Sequence, residues 1–157
     1  MPLPASLANT LELPVVGSPL FIVSGPELVI AQCKAGIVGS FPALNARPVE
    51  KLDEWLTRIE NELGEYKALH PEKKVAPYAV NQICHASNDR LMKDMETCVK
   101  HKVPVIITSL RPPVEVPLRV VTATHLVWAT SWLLHLALLF EAARRPLSDS
   151  VSPDMET

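Results

Sequence analysis

Apolar and polar positions fall into short alternating blocks over residues 1–110. A brief apolar run ends at Val15 and Val16 and is broken by Gly17-Ser18-Pro19, the punctuation of a strand followed by a tight loop. Ser24 and Glu27 then have capping-box spacing, Pro26 suits a first helical turn, and Gly36 is placed to close the helix that Leu28, Val29, Ala31 and Cys33 continue. Residues 37–41 read as a second short strand, with Phe41-Pro42-Ala43-Leu44-Asn45 as the loop at its carboxyl end. Over residues 48–63, Leu52, Trp55, Leu56, Ile59 and Leu63 form one apolar helical stripe, and Gly64 fits the position just past the end. Residues 75–83 predict a third strand, interrupted early by Pro77. Ser87, Asn88 and Asp89 are alternative caps for the next helix. Its stripe is Leu91, Met95, Cys98 and Val99, and Lys100, His101 and Lys102 sit where positive charge offsets the macrodipole. Residues 103–108 are almost continuously apolar, as a parallel strand covered on both faces should be.

Strand and helix therefore alternate, which implies an α/β fold with four parallel strands joined by three right-handed crossover helices. In such a sheet all strand carboxyl ends share one rim, and ligands bind there. Gly17, Ser18, Pro19, Leu20, Asn81 and Ser109 all fall at that rim. Asn81 has two readings. A buried Asn must satisfy its amide donors and its carbonyl, either on neighbouring backbone or on a bound cofactor. His85 follows the third strand directly and lies at the same end, where a capping or solvated loop role is the simpler reading.

After Leu110 the pattern changes. The segment Arg111-Pro112-Pro113-Val114-Glu115-Val116-Pro117 holds three prolines and suits neither a central strand nor a helix interior. It divides residues 1–110 from a tail, residues 111–157. Residues 120–140 then run 21 positions without a charged side chain, which predicts a helix over about 118–144 rather than a fifth strand, since strands run about 5–6 residues. The length also meets the test for a membrane span, with Arg119 before it and Arg144 and Arg145 after it. His125, His135, Thr122, Thr124, Thr130 and Ser131 dilute its hydrophobicity.

Composition narrows the field. A net charge of −2 over 157 residues gives no electrostatic footprint for nucleic acid or anionic membrane. Cys33, Cys84 and Cys98 are odd in number, widely spaced and without a CxxC pair, so reduced thiols are expected rather than metal or disulfide frameworks. Residues 1–6 have no basic region followed by an apolar run, so no secretory signal is expected and a cytoplasmic place is.

The run Phe21-Ile22-Val23-Ser24-Gly25-Pro26-Glu27-Leu28 resembles the amino terminus of nitronate monooxygenases, the flavin enzymes formerly called 2-nitropropane dioxygenases. Ser18-Pro19-Leu20 stands where that family has an Ala-Pro-Met type of loop. The resemblance continues through residues 35–45, 76–81 and 98–109 and stops at Leu110, covering about two-thirds of the chain. It implies the first half of a (β/α)8 TIM barrel, which as a whole takes about 250 residues. It implies FMN as cofactor and alkyl nitronates and O2 as substrates. It also implies cofactor contacts from the backbone of Gly17, Ser18, Pro19 and Leu20, from the side chain of Asn81, and more weakly from Ser109. The family's phosphate-binding glycines and catalytic His belong to later strands and have no counterpart here, so no His is assigned as catalytic. Three readings of the tail stay open. One is a shifted frame or mis-spliced gene model, since an offset frame allows His-Ser-Tyr at residues 121–124 and Asp-Val at residues 129–131, where the family has related motifs. The others are a real helix and a membrane span. Two further functional readings stand beside a truncated monooxygenase that is inactive alone. One is a non-catalytic half-barrel that self-associates through its open sheet edges, and the other is a related flavin-dependent enoyl reductase.

Overall fold

The computed structural model describes residues 5–110 and 127–129. The elements run α1 (Ala5–Ala8), α2 (Pro26–Lys34), β1 (Gly39–Pro42), a 3-10 turn η1 (Ala43–Asn45), α3 (Lys51–Leu69), β2 (Tyr78–Ile83), α4 (Leu91–Lys100), β3 (Val105–Ser109) and β4 (Val127–Ala129). The strands form one sheet in the order β1-β2-β3-β4, and every pairing is parallel.

The alternation of side chains along each strand separates two faces. Phe41, Tyr78, Val80 and Ile106 point outward and pack under the helices with Val29, Leu52, Leu56, Ile59, Met95 and Cys98. Trp55 meets Phe41 edge-on, with ring centroids 5.6 Å apart. Val38, Ala79, Val105 and Ile107 point inward, where Leu7 and Leu11 close the amino-terminal end of the sheet. Polar residues of the inward set, Ser40, Asn81 and Ser109, belong to the alternate positions further along.

Helix α2 ends as its sequence indicated. Gly36 has φ +79°, Ile37 N–H donates to the Gln32 carbonyl at 3.2 Å, and Gly36 N–H to that of Cys33 at 3.1 Å. That pair of bonds is a Schellman motif, which a left-handed glycine permits. Gly39 serves a different need. A Cβ there would stand 2.4 Å from the Val29 carbonyl oxygen, so its absence lets α2 lie against β1.

Several expectations change. The strand over residues 13–16 is a single parallel bridge, Val16 to Val38, with Val38 N–H on the Val15 carbonyl and Gly17 N–H on the Val38 carbonyl. Pro14 has no N–H to extend it. The capping box does not form. Gly25 is the N-cap of α2 without a side-chain bond, Ser24 turns back to Leu20, and Glu27 pairs with Arg58. Helix α3 runs through Gly64, where a Cβ would meet nothing, and ends at Leu69. Arg90 rather than residues 87–89 is the N-cap of α4.

The largest correction concerns the tail. A helix was expected over 118–144, away from the place of a further strand, but Val127–Ala129 is a strand paired in parallel with β3, Val127 opposite Ile106. An uncharged run suits a covered parallel strand as well as a helix. The edge of β3 offers unpaired backbone groups to a β-branched and an aromatic residue. The rest of 118–144, including most of the candidate membrane stretch, lies outside the described residues. Among the described residues no helix is long and apolar enough to cross a membrane.

Candidate functional site

Register places the candidate residues at one rim. Leu20 lies four residues past the Val16–Val38 bridge, as Pro42 does past Val38; Pro42 is level with Asn81, and Asn81 with Ile107. Ser109 ends β3. The loop at residues 17–20, Asn81 and Ser109 therefore share the carboxyl end of a parallel sheet, and Asn81 and Ser109 share its inward face.

Each rim loop is tied to the next by a side chain. Asn45, in η1, donates from Nδ2 to the carbonyls of Leu20 (3.0 Å) and Ser24 (2.9 Å) and accepts the Ile22 N–H on Oδ1 at 3.1 Å. Ser24 Oγ accepts the Leu20 N–H at 2.9 Å, which closes the same turn from within. Arg90 then reaches from the start of α4 to the carbonyls of Ala46 (2.8 Å) and Ala43 (3.4 Å), and pairs with Asp94 at 3.0 Å. Asn81 donates both amide hydrogens to β3, to the Ile107 carbonyl at 3.0 Å and the Ser109 hydroxyl at 2.5 Å. Cys84 N–H adds a bond to the Ser109 carbonyl at 3.0 Å.

The electrostatics of these ties follow from burial. Asp94 is fully buried, with Oδ2 unpartnered, and desolvation pushes its carboxyl above the ordinary 3.8 against the pull of Arg90. Burial also pushes the Cys33 thiol up to about 11 and that of Cys98 to about 12. Neither is therefore poised as a thiolate nucleophile at neutral pH. A second polar chain runs elsewhere. Tyr78, the first residue of β2, donates to Glu60 at 2.9 Å; His101 stands 3.1 Å from Glu60 and 2.9 Å from Asp53. It joins α3, β2 and α4 at the end of β2 away from the rim, so His101 contributes to packing rather than to the site.

The loop at residues 17–22 has spent several of its backbone polar groups on the fold. Gly17 N–H is bonded to Val38, its carbonyl accepts from the Ser40 hydroxyl, and Leu20 N–H and carbonyl are both taken. Ser18 is exposed and makes no hydrogen bond among the described residues, and Pro19 and Leu20 add apolar surface. This set presents a partly apolar edge with one free hydroxyl. His85 is exposed at the rim, its Nδ1 held by the Ser87 hydroxyl at 2.8 Å and accepting the Ser87 N–H at 3.2 Å. No group of three or more His, Cys, Asp or Glu among the described residues is arranged to hold a metal.

Two solved structures of FabK from Thermotoga maritima are similar to this chain in fold. One aligns with a TM-score of 0.59 at 20% identity, over 87% of this chain and 39% of FabK. The other, a mutant, aligns with a TM-score of 0.58 at 18% identity, over 87% of this chain and 42% of FabK. The chain has the fold of a partial TIM barrel. It spans about two-fifths of the length of those structures. No protein-family model matches the chain, and no curated protein does.

Sequence reasoning missed Asn45, Arg90 and Asp94. Asn45 carried a signal, an Asn just past a strand end, but its partners lie 21 to 25 residues away. Asp94 sits on the buried stripe of α4 with Leu91, Met95 and Cys98, a charged residue at an apolar position, which is the mark of a buried pair.

Proposed function

We propose that this chain builds one side of the cofactor site of an FMN-dependent oxidoreductase of the TIM-barrel type. The observation that supports this most directly is the rim itself. Its successive loops are locked together, with Asn81 and Ser109 on the inward face and Ser18, Pro19 and Leu20 at the adjoining edge. FMN, when bound, supplies the redox chemistry, while the protein binds and orients it. On this reading Asn81, with both amide hydrogens spent on β3, offers its carbonyl oxygen to a ring N–H. Ser18 offers its hydroxyl, and Pro19 and Leu20 cover a ring face. The phosphate has no cradle among the described residues, so binding by this chain is weak. No base is assigned, and such a base is worth about 10²–10⁴-fold in rate, so the chain alone does not turn over.

For the substrate, the resemblance at residues 21–28 favours an alkyl nitronate oxidised with O2, and the likeness to FabK favours enoyl reduction. That resemblance runs through Ser18, Pro19, Leu20, Asn81 and Ser109, so the nitronate is our first choice. The test titrates FMN into the purified chain, follows flavin fluorescence, and then adds either an alkyl nitronate or an enoyl thioester. Weak saturable quenching, perturbed by the nitronate alone, is expected. Perturbation by the enoyl thioester alone would move the assignment to the reductase. Quenching that never saturates would remove the flavin reading.

A second reading is favoured by exposed apolar residues on the open edge, Leu13, Val15 and Val16. A half-barrel with such an edge pairs with a second copy. Sedimentation of the chain and of Val15→Lys tests it: a dimer that the lysine dissociates supports this reading, and a monomer at all concentrations rejects it.

A further inference from the structure

The turn at residues 20–24 is unusual in what holds it. Ile22 is β-branched and adopts φ 68°, a conformation that L side chains, and β-branched ones most of all, avoid. Its side chain gives nothing back in packing, since the residue is 82% exposed. Leu20, Phe21 and Val23 around it are also exposed, and Arg47 lies over the Phe21 ring at 5.5 Å. A turn that spends strain to present apolar side chains to solvent must be held by something else, and strained backbone kept in this way clusters at ligand-binding sites.

Asn45 holds it. One side chain takes the carbonyls at both ends of the turn and the N–H of Ile22 at its centre, with distances of 2.9–3.1 Å. An Asn amide has two donors and one acceptor oxygen, and here all are used on a single turn. Asn45 is itself fixed, because Ala46 N–H closes η1 on the Ala43 carbonyl and Arg90 grips the carbonyls of both. The order of support runs from half-buried Arg90, paired with buried Asp94, through η1 and Asn45 to the exposed turn.

We propose that Asn45 is a positioning residue for the flavin: by fixing the turn at residues 20–24 it sets Leu20 and Phe21 in place before the ring arrives. The inference rests on the flavin reading above and deepens it. A preformed turn does not have to be ordered on binding, and that saving appears as affinity. Asn45 touches neither cofactor nor substrate in this role and acts through the turn alone.

The experiment compares the full chain with Asn45→Ala and Asn45→Asp, by amide-resolved hydrogen exchange and by FMN fluorescence titration, at a temperature where all three are folded. Exchange at the Ile22 amide should quicken in Asn45→Ala. In Asn45→Asp, which keeps an acceptor but loses both donors, it should stay slower. FMN affinity should fall about tenfold in Asn45→Ala, with a smaller fall than that in urea resistance. Were Asn45→Ala to show faster Ile22 exchange and unchanged FMN affinity, the positioning role would be wrong and the flavin reading untouched. Unchanged Ile22 exchange in Asn45→Ala would overturn the proposal as well. A wild-type chain that binds no FMN at all would overturn the flavin reading, and this proposal with it. Should Asn45→Ala not fold, Asn45→Asp is read by FMN affinity alone: a fall with Ile22 exchange still slow supports the proposal, and unchanged affinity overturns it.

Discussion

Asn81 and Ser109 are joined across β2 and β3, the Asn81 amide donating to the Ser109 hydroxyl at 2.5 Å while its second hydrogen meets the Ile107 carbonyl at 3.0 Å. The two residues lie two register positions apart, Asn81 opposite Ile107 and Ile83 opposite Ser109, so the side chain spans the ladder diagonally. The contact serves structure and site together. It fixes the rim end of β3, and on the proposed reading it leaves the remaining polar atom of Asn81, its carbonyl oxygen, for a ligand.

Removing that junction should cost stability unequally. Asn81→Ala loses both bonds and should destabilise the chain by about 1–3 kcal/mol, whereas Ser109→Ala leaves Asn81 its bond to Ile107 and should cost about 1 kcal/mol or less. Urea denaturation of the two single variants and the double variant measures the coupling. Additive effects would mean that the hydroxyl contributes nothing through Asn81.

Gly39 should tolerate no side chain. Its Cβ would press on the Val29 carbonyl at 2.4 Å and on Cys33 Sγ at 3.0 Å, and neither belongs to a flexible side-chain end. Gly39→Ala should force α2 away from β1 and cost about 1–3 kcal/mol. Gly64→Ala is the control: it lies inside α3 with open space around it, and should stabilise the helix by about 1 kcal/mol. The urea midpoints of the two variants should move in opposite directions.

Asp94 predicts a pH dependence with a definite sign. Its folded carboxyl lies above the ordinary 3.8, so between those two values the folded state binds more protons than the unfolded one. Stability from this group is then fully present below 3.8 and is lost as pH rises through the raised folded value. Exposed carboxylates such as Asp53, lowered by Lys100 and His101, act oppositely but are common to wild type and Asp94→Asn. The margin of wild type over Asp94→Asn should therefore narrow from acid toward neutral pH in urea melts. A margin that widens would mean that the attraction of Arg90 outweighs desolvation.

Strand β4 can be tested by truncation. Ending the chain after Leu110 removes the partner of Ile106, Ile107 and Thr108. Amide exchange at residues 106–108 should quicken, and the shortened chain should self-associate more readily through the exposed edge. Unchanged protection there would mean that β4 does not pair in solution.

The alternation of elements was legible because it is local. The stripes of α3 and α4, the left-handed Gly36 and the apolar run of β3 depend on periodicity and single-residue conformation, which neighbours in sequence decide. Bonds to distant residues were not legible. Ser24 and Glu27 have the spacing of a capping box, yet Glu27 pairs with Arg58, 31 residues on, and Ser24 bonds Leu20 within a turn that Asn45 holds from another loop.

By itself the sequence determined a parallel α/β half-barrel and the rim at which Gly17, Ser18, Pro19, Leu20, Asn81 and Ser109 would gather, because a strand's direction fixes where its carboxyl end points. Tertiary structure alone decided what holds that rim. Asn45 reaches back across at least 21 residues, Arg90 across at least 44, and Asn81 forward across at least 26, and each bond exists only once the sheet has set its loops side by side. It also decided the fate of the uncharged run near Val127. Hydrophobicity there permits helix or strand, and the unpaired edge of β3, which no local sequence encodes, made it a strand.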